Sequence, residues 1–340
     1  MRSVIFGCAG PALSADERAF FHYVDPLGFI VFARNIESPE QMHRLTDDLR
    51  SCTARSETPI LVDQEGGRVA RLRPPHWRKA PPGKVFGELY ARDREAALEA
   101  IRLNASLLAA DCLSAGCDVD CLPILDISFP DTHSVIGDRA YAATPEAVAA
   151  LGRAAAEGLV RQGVMPITKH IPGHGRATVD SHDTLPRVAV GRDVLERTDF
   201  LPFKFLADIP WGMTAHVLYE AIDRDAALTV SARGVREVVR GHIGFDGLLL
   251  SDDLSMQALG GSLGERAARA LAAGCDIALH CNGKMDEMKQ VAANIGAIGP
   301  DASRRIAAGN AWRARHRAPL PKQGLADARR RLGELLPEWG

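Results

Sequence analysis

The sequence predicts an α/β fold closed as a single TIM-like (β/α)8 barrel, and three observations predict it. Short apolar runs alternate with amphipathic segments along all 340 residues, the pattern of parallel strands joined by helices. No Gly-x-Gly-x-x-Gly turn follows the first run, so the usual mark of an open doubly wound sheet is missing. Polar clusters stand directly behind the apolar runs, where a barrel gathers its reactive groups.

In chain order the expected strands are Ser3–Phe6, Gly28–Phe32, Ile60–Asp63, Val119–Asp126, Met165–Lys169, Gly212–His216, Gly247–Ser251 and Asp276–His280. Between them, Ser38-Pro39-Glu40 opens a helix through Leu49, and Thr144-Pro145-Glu146 opens one through Arg161. Proline in the first helical position behind a Ser or Thr cap is a start signal. Further helices are expected over Asp93–Ala115, Asp193–Ala207, Ser231–Gly241, Ser262–Ala273 and Met285–Ile295, with closing helices beyond about residue 300. No linker, internal repeat or low-complexity tract divides the chain, so residues 1–340 are expected to form one catalytic domain.

A hydrophobic share of 46% with 25% charged residues supplies a large core. The net charge of −2 offers no strong field, which argues against a nucleic-acid or anionic-membrane partner and for a small, mostly neutral substrate. The basic residues Arg313, Arg315, Arg317 and Arg329–Arg331 are expected to be the solvated face of terminal helices. Seven cysteines lie in or beside apolar runs without a CxxC pair, as buried free thiols of a reducing compartment would. The apolar run Ser3–Cys8 is too short for a secretory signal, and no run reaches membrane-spanning length. A cytoplasmic protein with no obligate protein partner is the expectation.

Four clusters carry chemistry. The first runs from Lys169 to His182 behind the fifth strand and holds Lys169, His170, His174, Asp180 and His182 among glycine and proline breakers, a composition suited to a loop that brings a proton donor over a substrate. Asp180 and His182 are two apart, so in extended backbone their side chains share a side and the carboxylate can hold one imidazole nitrogen. Histidine exchanges protons near neutrality, and a neighbouring carboxylate stabilises its charged form. The alternatives are that the three histidines are structural, which their clustering at a strand end disfavours, or that with Asp180 they ligate a metal, which the lack of an HExxH helix disfavours.

The second cluster, Ser251-Asp252-Asp253, ends the seventh strand. As the first acidic residue beyond the buried run, Asp252 is taken as the chemical group, and Asp253 as the cap of the following helix. The third is Asp63-Gln64-Glu65-Gly66-Gly67-Arg68 with Arg71, where paired glycines turn the chain and Asp63 and Arg71 can grip hydroxyl groups. The fourth joins Asp126 to Val135–Arg139, with Arg139 either a second clamp or a surface partner of Asp138.

Several of these motifs together resemble the signature of glycoside hydrolase family 3 β-N-acetylglucosaminidases. The resemblance rests on Lys169-His170-Ile171-Pro172-Gly173-His174-Gly175 continuing to Asp180-Ser181-His182 and Leu185-Pro186. Val62–Val69, Phe32–Asn35, Val135–Arg139 and Ser251–Met256 follow the family pattern in the right order, from the first strand to at least Gly283. Ile171 stands where phenylalanine is more usual, a volume change expected to affect loop packing rather than chemistry. The tail beyond about Pro300 carries no recognised motif.

The resemblance is to the compact, single-domain Gram-negative type that acts in cell-wall recycling, and it implies the following. Asp252 is the nucleophile of a retaining mechanism with a covalent glycosyl intermediate, His182 the general acid/base and Asp180 its orienting partner. Asp63, Arg71, Arg139, Lys169 and His170 bind the N-acetylglucosamine ring, no metal or organic cofactor is needed, and the substrate is a muropeptide in which N-acetylglucosamine is β-1,4-linked to 1,6-anhydro-N-acetylmuramic acid. Rival readings are a metal-dependent barrel hydrolase, a non-catalytic sugar-binding protein, and a family member acting on glucosides.

Overall fold

Every apolar run singled out above contributes a strand, and the eight pair side by side in parallel until the last closes on the first. The computed structural model describes residues 1–55, 57–181 and 183–339; Ser56, His182 and Gly340 lie outside the described residues. The strands are β1 (Arg2–Gly7), β2 (Pro26–Val31), β3 (Ile60–Val62), β4 (Val119–Asp120), β5 (Met165–Ile171), β6 (Trp211–Thr214), β7 (Leu248–Asp253) and β8 (Ile277–His280). Register runs through Phe29↔Ile60, Leu61↔Val119, Ile167↔Trp211, Leu250↔Ile277 and Val4↔Ala278. This is a single TIM-like (β/α)8 barrel.

The strands read as continuous apolar runs because both of their faces are buried. Ile5, Ile30, Leu61, Ile167, Leu248 and Leu250 fill the barrel interior. Their neighbours Val4, Phe6, Phe29, Ile60 and Leu249 point outward into a second core under the helices, as the two-residue period of a strand requires. Each such side chain fully withdrawn from water contributes about 1.5–3 kcal/mol. All seven cysteines are free and buried among them.

The helices start where their caps allow. Ser38 accepts from the Gln41 N–H ahead of Pro39–Ser51, and Pro145–Gln162 begins on its proline, although Thr144 makes no side-chain cap bond. The helix Ala15–Val24 was not anticipated, yet Ser14 and Glu17 form a reciprocal capping box at its start. The helix Gly83–Arg92 was not anticipated either. Pro300–His316 and Lys322–Leu335 complete the chain, and three arginines of the basic cluster are ion-paired: Arg331 with Glu99 and Glu334, Arg330 with Glu334, Arg313 with Asp118. No helix among the described residues is long and apolar enough to cross a membrane.

Three expectations need correction. The helix expected over Asp193–Ala207 is two short ones, Arg192–Arg197 and Leu201–Phe205. Between them the backbone turns so that buried Asp199 can meet Arg176 at 2.8 Å. The segment Ser231–Gly241 begins as one α-turn and continues as a π-helix over Val235–His242. The strand expected through Asp126 keeps its ladder only over Val119–Asp120, because Pro123 has no N–H to offer; a bridge from Ile124 to Lys169 carries the chain onward beside β5.

Candidate active site

A pocket of about 280 Å3 lies at the mouth formed by the C-terminal ends of the strands. Phe32 behind β2, Asp63 behind β3, Lys169 and His170 on β5, and Asp252 on β7 all line it. The barrel thus gathers residues from four separated stretches of sequence at the end where this fold places its chemistry.

One wall is a buried network of five charges. Lys169 Nζ lies 2.8 Å from Asp63 Oδ1 and 2.8 Å from Glu65 Oε1. Arg71 Nη2 reaches Asp63 Oδ2 at 3.0 Å. Arg139 grips Glu65 with two parallel bonds, Nε to Oε2 at 2.8 Å and Nη2 to Oε1 at 2.9 Å, the geometry that suits a guanidinium best. The alternative pairing of Arg139 with Asp138 does not form; Asp138 pairs with Arg68 instead. Three cations against two carboxylates leave one positive charge in excess facing the pocket. Burial alone would raise the carboxyl groups of Asp63 and Glu65, but the neighbouring cations more than offset it and hold both below the usual carboxylate range. Burial would likewise lower the Lys169 ammonium, and Asp63 and Glu65 raise it instead.

The paired glycines place this wall. A short antiparallel hairpin, Gln64–Gly66 against Val69–Ala70, carries Glu65 and leads to Arg71. Gly66 has φ +97°, and a Cβ there would come 2.3 Å from the Pro81 carbonyl oxygen, so both conformation and space call for glycine.

The histidine loop is anchored from below. The Asp126 carboxylate, fully buried, accepts from His170 Nδ1 at 2.7 Å, the His170 backbone N–H at 3.3 Å and the His174 backbone N–H at 2.6 Å. His174 is buried too, which together with the charge of His170 pushes its imidazole down to about 4. Its Nε2 lies 3.2 Å from the Ser181 hydroxyl. The Ser181 carbonyl accepts from Ala258 N–H at 3.2 Å, tying this loop to the one that follows β7. Ser181 lines the pocket together with Asp252. Asp180 is half-buried and its carbonyl accepts from Asp183 and Thr184 N–H. The expected proton donor His182 is outside the described residues.

Asp252 lies near the end of β7 and accepts from the Asp253 N–H at 2.8 Å. Burial would raise its carboxyl, while His170, His216 and that N–H bring it below the usual range. It therefore stays ionised near neutrality. Asp253 does not cap a helix, which is a correction: it accepts from the Ser255 N–H and hydroxyl and from Cys281 N–H at 3.1 Å, bracing β7 against the end of β8. The next helix, Leu263–Ala273, is capped by Ser262.

Three further residues at the site were not assigned roles from sequence: Glu65, Asp126 and His216. His216 is fully buried, donating from Nε2 to the Asp253 carbonyl at 3.0 Å and meeting Thr229 Oγ1 at 2.8 Å with Nδ1. Each stands at or just behind a strand end, the one signal that could have raised it. Among the described residues no group of His, Cys, Asp and Glu is arranged to hold a metal ion.

The arrangement can hold a polar, hydroxyl-bearing ligand against a cationic wall with an ionised carboxylate aimed at it, which defines a barrel hydrolase of the glycoside-cleaving class. Residues 16–305 match the Glycosyl hydrolase family 3 N terminal domain, and the chain belongs to glycosyl hydrolase family 3. It is 41% identical over 283 residues to a beta-hexosaminidase of Alkalilimnicola ehrlichii, covering 82% of this chain and 80% of that one. A beta-hexosaminidase of Chromobacterium violaceum is 39% identical over 311 residues, covering 89% and 84%. In three dimensions the chain is similar to NagZ from Neisseria gonorrhoeae in complex with N-trifluoroacetyl-D-glucosamine, with TM-score 0.86, 29% identity, and 100% and 98% coverage. The chain is thus a glycoside hydrolase of the NagZ-like, β-hexosaminidase type within the family.

Proposed function

We propose that this enzyme is an exo-acting, retaining β-N-acetylglucosaminidase that releases N-acetylglucosamine from muropeptides in which it is β-1,4-linked to 1,6-anhydro-N-acetylmuramic acid, in the cytoplasm, during cell-wall recycling. The observation that carries the mechanism is the common mouth. Asp252 on β7 and Ser181, the residue next to His182 in the β5 loop, line one pocket.

In this reading the Asp252 carboxylate attacks the anomeric carbon and the glycosidic C–O bond breaks as His182, oriented by Asp180, protonates the departing oxygen. Water then attacks the glycosyl ester, His182 takes its proton, and configuration is retained. Asp63, Arg71, Arg139, Lys169 and His170 position the sugar through its hydroxyl groups and stabilise charge as the ring approaches an oxocarbenium ion. No metal or organic cofactor enters these steps. The whole chain acts as one catalytic domain.

Incubation with a slow fluorinated N-acetylglucosamine analogue, followed by peptide mass spectrometry, is expected to find the sugar bound to Asp252; a label on another residue removes Asp252 from the mechanism. His182→Ala is expected to lose roughly 10²- to 10⁴-fold on substrates with poor leaving groups and far less on activated aryl glycosides, since only the former need protonation. An equal loss on both refutes the proton-donor role.

A further inference from the structure

We propose that Asp126 is a positioning residue that sets the His170 imidazole toward Asp252 and at the same time seats the start of the proton-donor loop. This rests on the glycosidase reading above and deepens it.

Asp126 approaches from the segment behind β4, where Leu125 N–H donates to the Lys169 carbonyl at 2.7 Å and holds the two chains in register. Its two oxygens have different tasks. Oδ2 takes the ring nitrogen Nδ1 of His170 at 2.7 Å. A carboxylate only accepts, so Nδ1 must carry the hydrogen, and Nε2 is left as the nitrogen turned away from Asp126. Oδ1 takes the backbone N–H of His170 and of His174, fixing the first turn of the loop. From there His174 Nε2 meets the Ser181 hydroxyl, and Ala258 N–H meets the Ser181 carbonyl. One buried carboxylate therefore supports a chain of contacts that ends at Ser181, the residue before His182 in the sequence.

The surrounding charges favour this role. Asp126 is faced by His170 and His174 from β5 and its loop, by Arg139 from the loop behind β4 and by the Tyr219 hydroxyl behind β6. Asp252 is faced by His170, Lys169, His174, His216 and Cys281. Burial of Asp252 is opposed first by the charge of His170, whereas Asp126 is not among the groups that weigh most on it. Removing the Asp126 charge should thus act on Asp252 mainly through His170. An imidazole without its carboxylate acceptor is no longer held in place, Asp252 loses the partner that first offsets its burial, and its ionisation moves upward.

Asp126→Asn keeps the shape and removes the charge. With an aryl β-N-acetylglucosaminide it is expected to lower kcat roughly 100-fold, with a smaller effect on KM, and to move the acid limb of kcat/KM up by about one pH unit. Asp126→Glu is expected to restore most of the limb position. In a His170→Asn background the same Asp126→Asn change is expected to cost little more, because the two act as one unit. An acid limb and kcat close to those of the parent, or an undiminished loss in the His170→Asn background, overturns the proposal. Should Asp126→Asn not fold, His170→Asn alone must move the limb upward, and an unmoved limb overturns it equally. Asp252→Ala assayed in parallel separates the two levels: an inactive Asp252→Ala beside an unmoved Asp126→Asn limb removes only the positioning role, while an active Asp252→Ala removes the glycosidase mechanism itself.

Discussion

Alanine in place of Asp252 is expected to give a folded protein whose hydrolysis of aryl β-N-acetylglucosaminides falls by about 10⁴-fold or more. The size follows from the proposed role: without the carboxylate no glycosyl ester forms, and water must attack a glycoside whose leaving group departs unaided. The fold should tolerate the change. The side chain's hydrogen bond is with the N–H of the next residue, and burial and the neighbouring groups act on its carboxylate in opposite senses, so the loss of stability is expected to be modest, about 1 kcal/mol. Initial rates and a thermal melt on the same sample check both halves. Substantial hydrolysis by a folded Asp252→Ala protein would require another nucleophile.

Lys169→Met is expected to be the most destabilising single change at the site. The ammonium is almost wholly withdrawn from water and bridges Asp63 and Glu65. Removing one partner of a buried ion pair typically costs about 3–5 kcal/mol. Here the lower end applies, because Arg71 still holds Asp63 and Arg139 still holds Glu65. Activity should fall with it, since the same ammonium faces the sugar in the proposed complex.

The sign of the pH dependence follows from the shifts. Both carboxyl groups are depressed in the folded protein, so their contribution is complete above the unfolded carboxylate range near pH 4 and is lost as pH falls toward their folded values. Lys169 is raised, so its contribution is complete below about pH 10 and is lost above that. Urea unfolding of the two proteins should therefore differ most between about pH 5 and 10, with the gap narrowing below pH 4. A gap that stays constant down to pH 3 would mean that packing rather than charge accounts for the loss.

Much of the fold was legible because it is written in local hydrophobic pattern. All eight strands were found where apolar runs stand, and Pro39 and Pro145 marked the helix starts they were expected to mark. The helix Ala15–Val24 was missed although Ser14 and Glu17 carry its signal in the sequence. The break at 198–200 was missed as well, although Pro202 in the first turn of Leu201–Phe205 is such a start signal; what the sequence does not show is Asp199 turning inward there to Arg176. Asp253 illustrates the same limit: an acidic residue behind a strand reads as a helix cap until β8 supplies Cys281 N–H as a partner.

Of the site, the polar clusters and their position at the strand ends were visible in the sequence, because consecutive parallel strands place the ends of all eight on one rim. The barrel closure decided which charges meet. Lys169 and Asp63 are 106 residues apart, Arg139 and Glu65 74, and His170 and Asp126 44. No local pattern encodes such partners. Their choice depends on which loops the closed sheet brings together and on the cost of leaving any of these buried groups without an opposite charge.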